Sequence, residues 1–195
     1  IKRVVNSNYH SVTLTVDSSF YGNRERLSPS QLALRQVPAR DWQKKITWET
    51  VKMIRQEIGD RFFILKGVMT AEDAALGVEH GADAIYISNH GGRQLDGADS
   101  SISMLPDIVS AVGEDIDVWM DGGIRSGQDI LKAIALGANG TLLGRSFLYG
   151  LGAGGEAGVT KALEIMHKEL DMTMALCGHR DIRNVSRDIL HNCPF

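Results

Sequence analysis

The sequence repeats one local pattern five times: a short apolar run rich in β-branched and aromatic residues, then a polar segment, then an amphipathic stretch. An apolar run of this kind is typical of a buried strand, and the amphipathic stretch is typical of a helix that covers it. Strands that alternate with helices form parallel sheets, because each helix returns the chain to the start of the next strand. The repeat therefore predicts an α/β fold.

The predicted strands cover residues 11–16, 62–66, 84–88, 117–120 and 140–143. The predicted helices cover residues 1–7, 47–58, 70–80, 103–112, 127–136 and 158–176. The phrases GAD at 81–83 and GAN at 137–139 each join a helix to a strand, a spacing that favours a TIM barrel. Periodicity alone leaves an open doubly wound sheet as the alternative.

Composition limits the classes of function. With 195 residues, 43% of them hydrophobic, the chain is expected to form one domain over residues 1–195. The net charge of -3 gives no basic surface for nucleic acid. The longest apolar run, 142–151, is interrupted by Gly144, Arg145 and Gly150, so no membrane-spanning segment is predicted. Only Cys177 and Cys193 are present, which suits a reducing cytoplasm.

Polar residues follow every predicted strand, at the place where barrel enzymes carry their chemistry. They are Asp17, Lys66, Ser88 with His90 and Arg93, Asp121 with Arg125, and Gly144 with Arg145. A single Asp or Lys after a strand is most often a solvated loop residue. Five strands that all end in this way predict a site.

The segment 88–96, SNHGGRQLD, is the most specific of these. His90 can take a proton near neutral pH, and the planar guanidinium of Arg93 matches a carboxylate. Two glycines between them allow close approach of the backbone to a ligand. Alone, the segment is also compatible with a glycine-rich turn whose histidine caps a helix. Together the residues predict a base beside an anion anchor.

A phosphate site is predicted beside it. Backbone N–H groups of Gly122 and Gly123, and of Gly144 and Arg145, lie where the last two strands lead into helices. Such N–H groups form an anion nest of the kind that barrels use after strands seven and eight. The GGIR motif alone is common to many phosphate-binding barrels, so it does not identify the phosphate.

SNHGGRQLDG, with DGGIRSGQDILKAIALGA and LLGRSFLYGL further along, resembles the FMN-dependent L-2-hydroxy-acid oxidase and dehydrogenase family. The resemblance extends over nearly the whole chain, from LTVD at 14–17 onward. It implies a TIM (β/α)8 barrel of which this chain covers roughly strands 4 to 8. The chain would then be the C-terminal part, 1–195, of a single FMN-binding TIM-barrel domain.

The resemblance implies roles for individual residues. His90 is implied as the base, and Asp17 as the acid that holds and supports its imidazole. Arg93 and Arg24 are implied to bind the substrate carboxylate. Lys66 is implied to lie beside the flavin, where its charge stabilises the anionic reduced form.

The remaining implied contacts are with the cofactor. Asp121 suits a ribityl hydroxyl, and Thr15 and Ser88 suit the isoalloxazine ring. The implied phosphate ligands are Gly123, Arg125, Gly144 and Arg145. The other histidines, at positions 10, 80, 167, 179 and 191, have no second ligand at useful spacing, so no metal site is expected.

The implied reaction oxidises an L-2-hydroxy acid to the 2-keto acid, with lactate favoured over glycolate and mandelate. Dioxygen, a quinone or a cytochrome would reoxidise the flavin. A homotetramer is also implied. The protein is expected in the cytoplasm, with peripheral contact to the inner membrane through the 27–45 loop as a further hypothesis.

Two alternatives stay open at this stage. One is another phosphate-binding barrel of the aldolase or isomerase type, which leaves the pairing of His90 with Arg93 unexplained. The other is a non-catalytic piece that needs an N-terminal half. The residues that the family carries in its first three strands are not found in this sequence, and Ile1 is expected to start within a longer chain.

Overall fold

The computed structural model describes residues 1–20, 28, 30, 42–114 and 116–191. Its strands are β1 Ser11–Thr15, β2 Phe62–Val68, β3 Ala84–Ile87, β4 Asp117–Met120 and β5 Gly140–Thr141. Its helices are α1 Lys2–Asn6, α2 Trp48–Ile58, α3 Ala71–Glu79, α4 Ser101–Val112, α5 Gly127–Ala135 and α6 Arg145–Leu176. Short 3-10 turns lie at Gln43–Lys45, Ile182–Asn184 and Arg187–Ile189.

The described strands form one parallel sheet in the order β1-β2-β3-β4-β5. A doubly wound sheet reverses its strand order at a switch point, whereas a barrel adds each new strand beside the last. The sequential order has no reversal within the described residues. It therefore favours the barrel over the doubly wound alternative.

The two faces of the sheet are packed differently. One face carries Phe63, Leu65, Ile85 and Ile87, which are at most 1% exposed and pack against residues of α2 to α5. The other face carries a small cluster of strand residues alone: Ile64, Ala84 and Tyr86, with Phe62 and Trp119 at its margin. Helices on one face and strand side chains on the other are the layering of a barrel wall.

Helices α2, α3 and α5 begin within one residue of their predicted starts, whereas α4 begins at Ser101 and not at residue 103. Thr47 accepts a hydrogen bond from the Thr50 N–H, and Thr70 accepts one from the Asp73 N–H. Ser100 and Ser126 cap α4 and α5 in the same way. These caps satisfy N–H groups that have no partner inside the helix, so they fix the point where each loop becomes a helix.

Helix α6 differs from its prediction. The helix expected at 158–176 is only its second part, because helical structure already begins at Arg145. Non-helical backbone at Gly154 and Gly155 separates the two parts. Gly150 and Gly158 then approach so closely that a Cβ on either would collide with the other's carbonyl group. Among the described residues, no helix is both long and apolar enough to cross a bilayer.

Candidate active site

The carboxyl ends of the strands bring the predicted polar residues to one edge of the sheet. Asp17 follows β1, Lys66 lies within β2, Ser88 follows β3 and Asp121 follows β4. Parallel pairing aligns these ends, with Thr15 opposite Lys66 and Lys66 opposite Tyr86. The alternation of side chains along each strand then directs Lys66, Ser88 and Asp121 to the face that carries no helices.

Asp17 and His90 are hydrogen-bonded across this edge. Oδ2 of Asp17 lies 2.5 Å from Nδ1 of His90, and the side chains are only 16% and 26% exposed. A carboxylate accepts hydrogen bonds, so the proton in this contact belongs to Nδ1. Nε2 of the neutral ring is then an acceptor. It faces the hydroxyl of Ser18, at 3.5 Å.

Gly67 makes room for this pair, and its role was missed in the sequence. It has a φ of +101° at an irregularity in the β2 and β3 register. A Cβ at this position would come within 2.6 Å of Cγ of Asp17. A glycine inside a strand commonly marks a bulge or a close approach, and the FFILKGV run carried that signal.

The loop after β3 is fixed by its own polar side chains. His90 has a φ of +55°, a conformation that few non-glycine residues adopt, and it is followed by Gly91 and Gly92 at +66° and +73°. Asn89 accepts a hydrogen bond from the Gly92 N–H and donates one to the Asp99 carbonyl. Gln94 donates to the carbonyls of Asp17 and Phe20, at 2.9 Å each. These bonds hold His90 against Asp17.

Ser88 connects His90 to Lys66 and Asp121, two residues that are predicted to contact the flavin. Its side chain is fully buried. The hydroxyl donates to Oδ1 of Asp121 at 2.7 Å, and it accepts from Nζ of Lys66 at 2.9 Å and from the His90 N–H at 3.1 Å. One donor and two acceptor positions are thereby all used within the chain. Ser88 thus fixes three predicted site residues relative to one another.

The sequence predicts Tyr86 only as a strand residue, yet its side chain belongs to the same hydrogen-bond network. Its hydroxyl donates to Oδ2 of Asp121 at 3.0 Å, and its ring centroid lies 4.6 Å from Nζ of Lys66. Burial, and next the negative charge of Asp121, raise the pKa of the Tyr86 phenol well above its ordinary value. The phenol therefore keeps its proton and acts as a donor.

A concave pocket beside His90 has the features of an anion site. Its walls include His90, Arg93, Asp121, Gly123, Arg125, Gly144 and Arg145. Gly123 and Gly144 are exposed, with open space where a Cβ would be. Gly144 is also the N-cap of α6, where the N–H groups of a first helical turn point outward. These residues fit a phosphate group and the neighbouring part of a nucleotide.

Two of the three arginines of this pocket donate from their side chains to backbone carbonyls. Arg93 donates from Nε to the His90 carbonyl at 2.8 Å, which keeps its side chain beside the base. Arg145 donates to the Gly91 carbonyl at 3.1 Å, and so joins the start of α6 to the loop after β3. The N–H of Arg125 donates to Asp129. The exposed guanidinium groups supply positive charge at the rim of the pocket.

Thr15, Arg24 and the 27–45 loop are the remaining parts of the sequence prediction. Thr15 is the last residue of β1 and half-buried, opposite Lys66. Arg24 lies outside the described residues, as does most of the 27–45 loop. Within the described ranges, no group of three or more His, Cys, Asp or Glu side chains is arranged to hold a metal ion.

A parallel sheet with helices on one face, and with a His–Asp pair and an arginine-lined pocket at the carboxyl ends of its strands, has the layout of a TIM-barrel enzyme. The family described as FMN-dependent dehydrogenase matches residues 1–192 of the chain. The chain belongs to this family, whose members depend on FMN.

Individual relatives and solved structures support membership of this family. An L-lactate oxidase of Nostoc sp. is 37% identical over 98% of this chain and 59% of its own length. Glycolate oxidase 3 of Arabidopsis thaliana is 38% identical over 96% and 57%. A soluble mutant of the membrane-associated (S)-mandelate dehydrogenase of Pseudomonas putida superposes with a TM-score of 0.84, at 36% identity, over 98% and 60%. The chain thus spans somewhat more than half the length of these relatives, which confirms the prediction of a partial barrel.

Proposed function

We propose that this chain provides the base, substrate anchor and much of the FMN site of an enzyme that oxidises an L-2-hydroxy acid to the 2-keto acid. The observation that carries the proposal is the 2.5 Å contact between Asp17 and His90, whose ring lines a pocket together with Arg93. A phosphate-binding barrel of the aldolase or isomerase type has no evident use for this combination. Membership of the FMN-dependent family supports the same conclusion.

His90 is the proposed base. Because Asp17 accepts the Nδ1 proton, Nε2 is the nitrogen that takes a proton from the substrate. The ring becomes an imidazolium in that step, and the adjacent carboxylate stabilises the new charge. The backbone and Gln94 contacts around the loop keep the ring in place, so little reorganisation is needed.

Arg93 is the proposed ligand of the substrate carboxylate. It lies three residues after the base and lines the same pocket, so an anion held by its guanidinium would lie beside His90. Arg24 is proposed as the second ligand on the basis of its sequence context alone. Two cations would offset the cost of removing the carboxylate from water.

FMN supplies the acceptor for the two electrons that leave the substrate. Gly123, Arg125, Gly144 and Arg145 are the proposed phosphate ligands, and Asp121 the ligand of a ribityl hydroxyl. Thr15 and Ser88 are proposed to meet the isoalloxazine ring, and Lys66 to place a positive charge beside it. The hydrogen bonds that Ser88 makes with Lys66 and Asp121 support a role in holding these two residues in place.

Several features of the whole protein are part of the proposal. Residues 1–195 form the C-terminal part of a single barrel domain, and the first strands come from residues outside this sequence. Lactate is the favoured substrate, with glycolate and mandelate as alternatives, in line with the names of the relatives. The electron acceptor is dioxygen, a quinone or a cytochrome.

The proposal also covers assembly and location. A homotetramer and a cytoplasmic location follow from the family resemblance and composition. Peripheral membrane contact through the 27–45 loop is compatible with the membrane-associated mandelate dehydrogenase among the similar structures.

The test is an anaerobic absorption spectrum of the full-length protein, before and after addition of L-lactate, glycolate or (S)-mandelate. Flavin bands that bleach with one of these acids are expected, and the acid that bleaches them fastest identifies the substrate. Flavin bands that no 2-hydroxy acid bleaches would contradict the reaction. A colourless protein that FMN does not reconstitute would return the chain to the general phosphate-binding barrels.

A further inference from the structure

Tyr86 occupies a position that the proposed function does not yet use. It is 8% exposed, on the face of the sheet that carries no helices, between Lys66 and Asp121. Tyrosine is amphipathic, so burial of its ring requires a partner for the hydroxyl. Here that partner is Oδ2 of Asp121 at 3.0 Å, in the centre of the proposed FMN site.

The same carboxylate oxygen faces the ammonium group of Lys66. Nζ of Lys66 lies 3.6 Å from Oδ2, longer than the usual charge-assisted contact. The ammonium also donates to Ser88 at 2.9 Å and lies 4.6 Å from the Tyr86 ring centroid. Tyr86 thus contributes twice, through a hydroxyl that shares the carboxylate oxygen and through a ring that attracts the cation.

We propose that Tyr86 is a positioning residue that keeps Lys66 from forming a tight ion pair with Asp121, and so leaves the lysine charge available to the flavin. The proposal rests on the proposed function, because it assumes that Lys66 lies beside FMN. Without the hydroxyl, Oδ2 would lose a donor and attract the ammonium more strongly. The lysine charge would then be less available to stabilise the anionic reduced flavin.

The decisive variant is Tyr86→Phe in the full-length holoenzyme. It keeps the ring, together with its packing beside Ile64 and Trp119, and removes only the hydroxyl. We expect reduced FMN to lose about tenfold in affinity relative to oxidised FMN, since a hydrogen bond to a charged group is lost. By thermodynamic linkage, a tenfold change in relative affinity corresponds to a fall of about 30 mV in the two-electron midpoint potential of the flavin. Tyr9→Phe, which alters an exposed tyrosine, is the matched control and should leave the potential unchanged.

A double-variant cycle tests whether Tyr86 acts through Lys66. In a Lys66→Met background, Tyr86→Phe should shift the potential much less than it does in the wild-type background. An equal shift in both backgrounds, or a wild-type potential in Tyr86→Phe, would overturn the proposal.

The potential is measured with a chemical reductant and reference dyes, so that it does not depend on the substrate. Failure of the proposed function has a different signature: wild-type protein that holds no FMN, or whose FMN no 2-hydroxy acid reduces. A role of Tyr86 in packing alone would lower the melting temperature and leave the ratio of the two FMN affinities unchanged.

Discussion

Two carboxylates, Asp17 and Asp121, lie on the same edge of the sheet and are similarly buried, with side chains 16% and 21% exposed. Their partners differ. Asp17 has one oxygen on an imidazole nitrogen, and its other oxygen has no hydrogen-bond partner among the described residues. Asp121 accepts from two hydroxyl groups, one on each oxygen, and has an ammonium nearby.

The different partners determine what each carboxylate can do. A carboxylate on an imidazole stabilises a charge that appears only when the ring takes a proton, so its effect is on a rate. A carboxylate between hydroxyls and a lysine is satisfied before any reaction, so its effect is on structure and on the fixed charge around a ligand. Both residues are aspartates, so their neighbours determine the role of each.

His90→Gln removes the group that Asp17 serves and should have the largest effect. We expect substrate-driven flavin reduction to slow by about 10²- to 10⁴-fold, the usual worth of a general base. FMN content should stay near that of the wild type, because the phosphate and ribityl groups bind elsewhere in the pocket. Rapid-mixing spectra under anaerobic conditions measure the rate. His167→Gln, on an exposed face of α6, is the control, and an unchanged rate in His90→Gln would remove the assignment of the base.

Exchanging each carboxylate for its amide separates the two roles. Asp17→Asn should lower the rate of flavin reduction by about 10²-fold, since the imidazolium loses its counter-charge, with little change in FMN affinity. Asp121→Asn should weaken FMN binding by about tenfold, since hydrogen bonds to a charged group become neutral ones. Fluorescence titration of the apoprotein with FMN gives the affinities. If both variants change the same quantity, the contrast between the two carboxylates is wrong.

Gly67→Ala disturbs Asp17 without altering its charge. The new Cβ would overlap the carboxylate of Asp17, and the φ of +101° disfavours any side chain. We expect flavin reduction to slow by about tenfold, less than in Asp17→Asn, because the carboxylate shifts rather than disappears. Gly59→Ala is the matched control, because Gly59 also has a positive φ, +63°, but has open space where a Cβ would be. It should cost stability, seen as a lower melting temperature, and leave the rate unchanged.

Much of this arrangement could be predicted from the sequence, for identifiable reasons. The strand positions follow from local periodicity, the barrel order follows from the resemblance of the motifs, and the site edge follows from polar residues at strand ends. Periodicity does not report side-chain contacts between strands, so Tyr86 looked like any strand residue. The start of α6 was missed because its glycine-rich GLGAGG segment lowers helix propensity, and tertiary packing of Gly150 against Gly158 compensates for that.

A third carboxylate, that of Asp181, is more accessible than the other two, with its side chain 34% exposed, and should give the smallest effect. Hydrogen bonds from Arg183 lower the pKa of Asp181 from its ordinary value of 3.8 to about 2. A lowered pKa means that the ionised group stabilises the fold above the unfolded-state value, and that this contribution disappears as the pH falls toward the folded-state value. The stability difference between wild type and Asp181→Asn should therefore be constant above about pH 4 and shrink below it. Urea unfolding between neutral pH and about pH 3 measures it, with Arg183→Gln expected to behave like Asp181→Asn. The difference should be small at every pH, because water screens a surface pair. A large difference would mean that hydrogen bonding, more than exposure, sets what a carboxylate contributes to stability. The contrast between Asp17 and Asp121 would then apply to surface carboxylates as well.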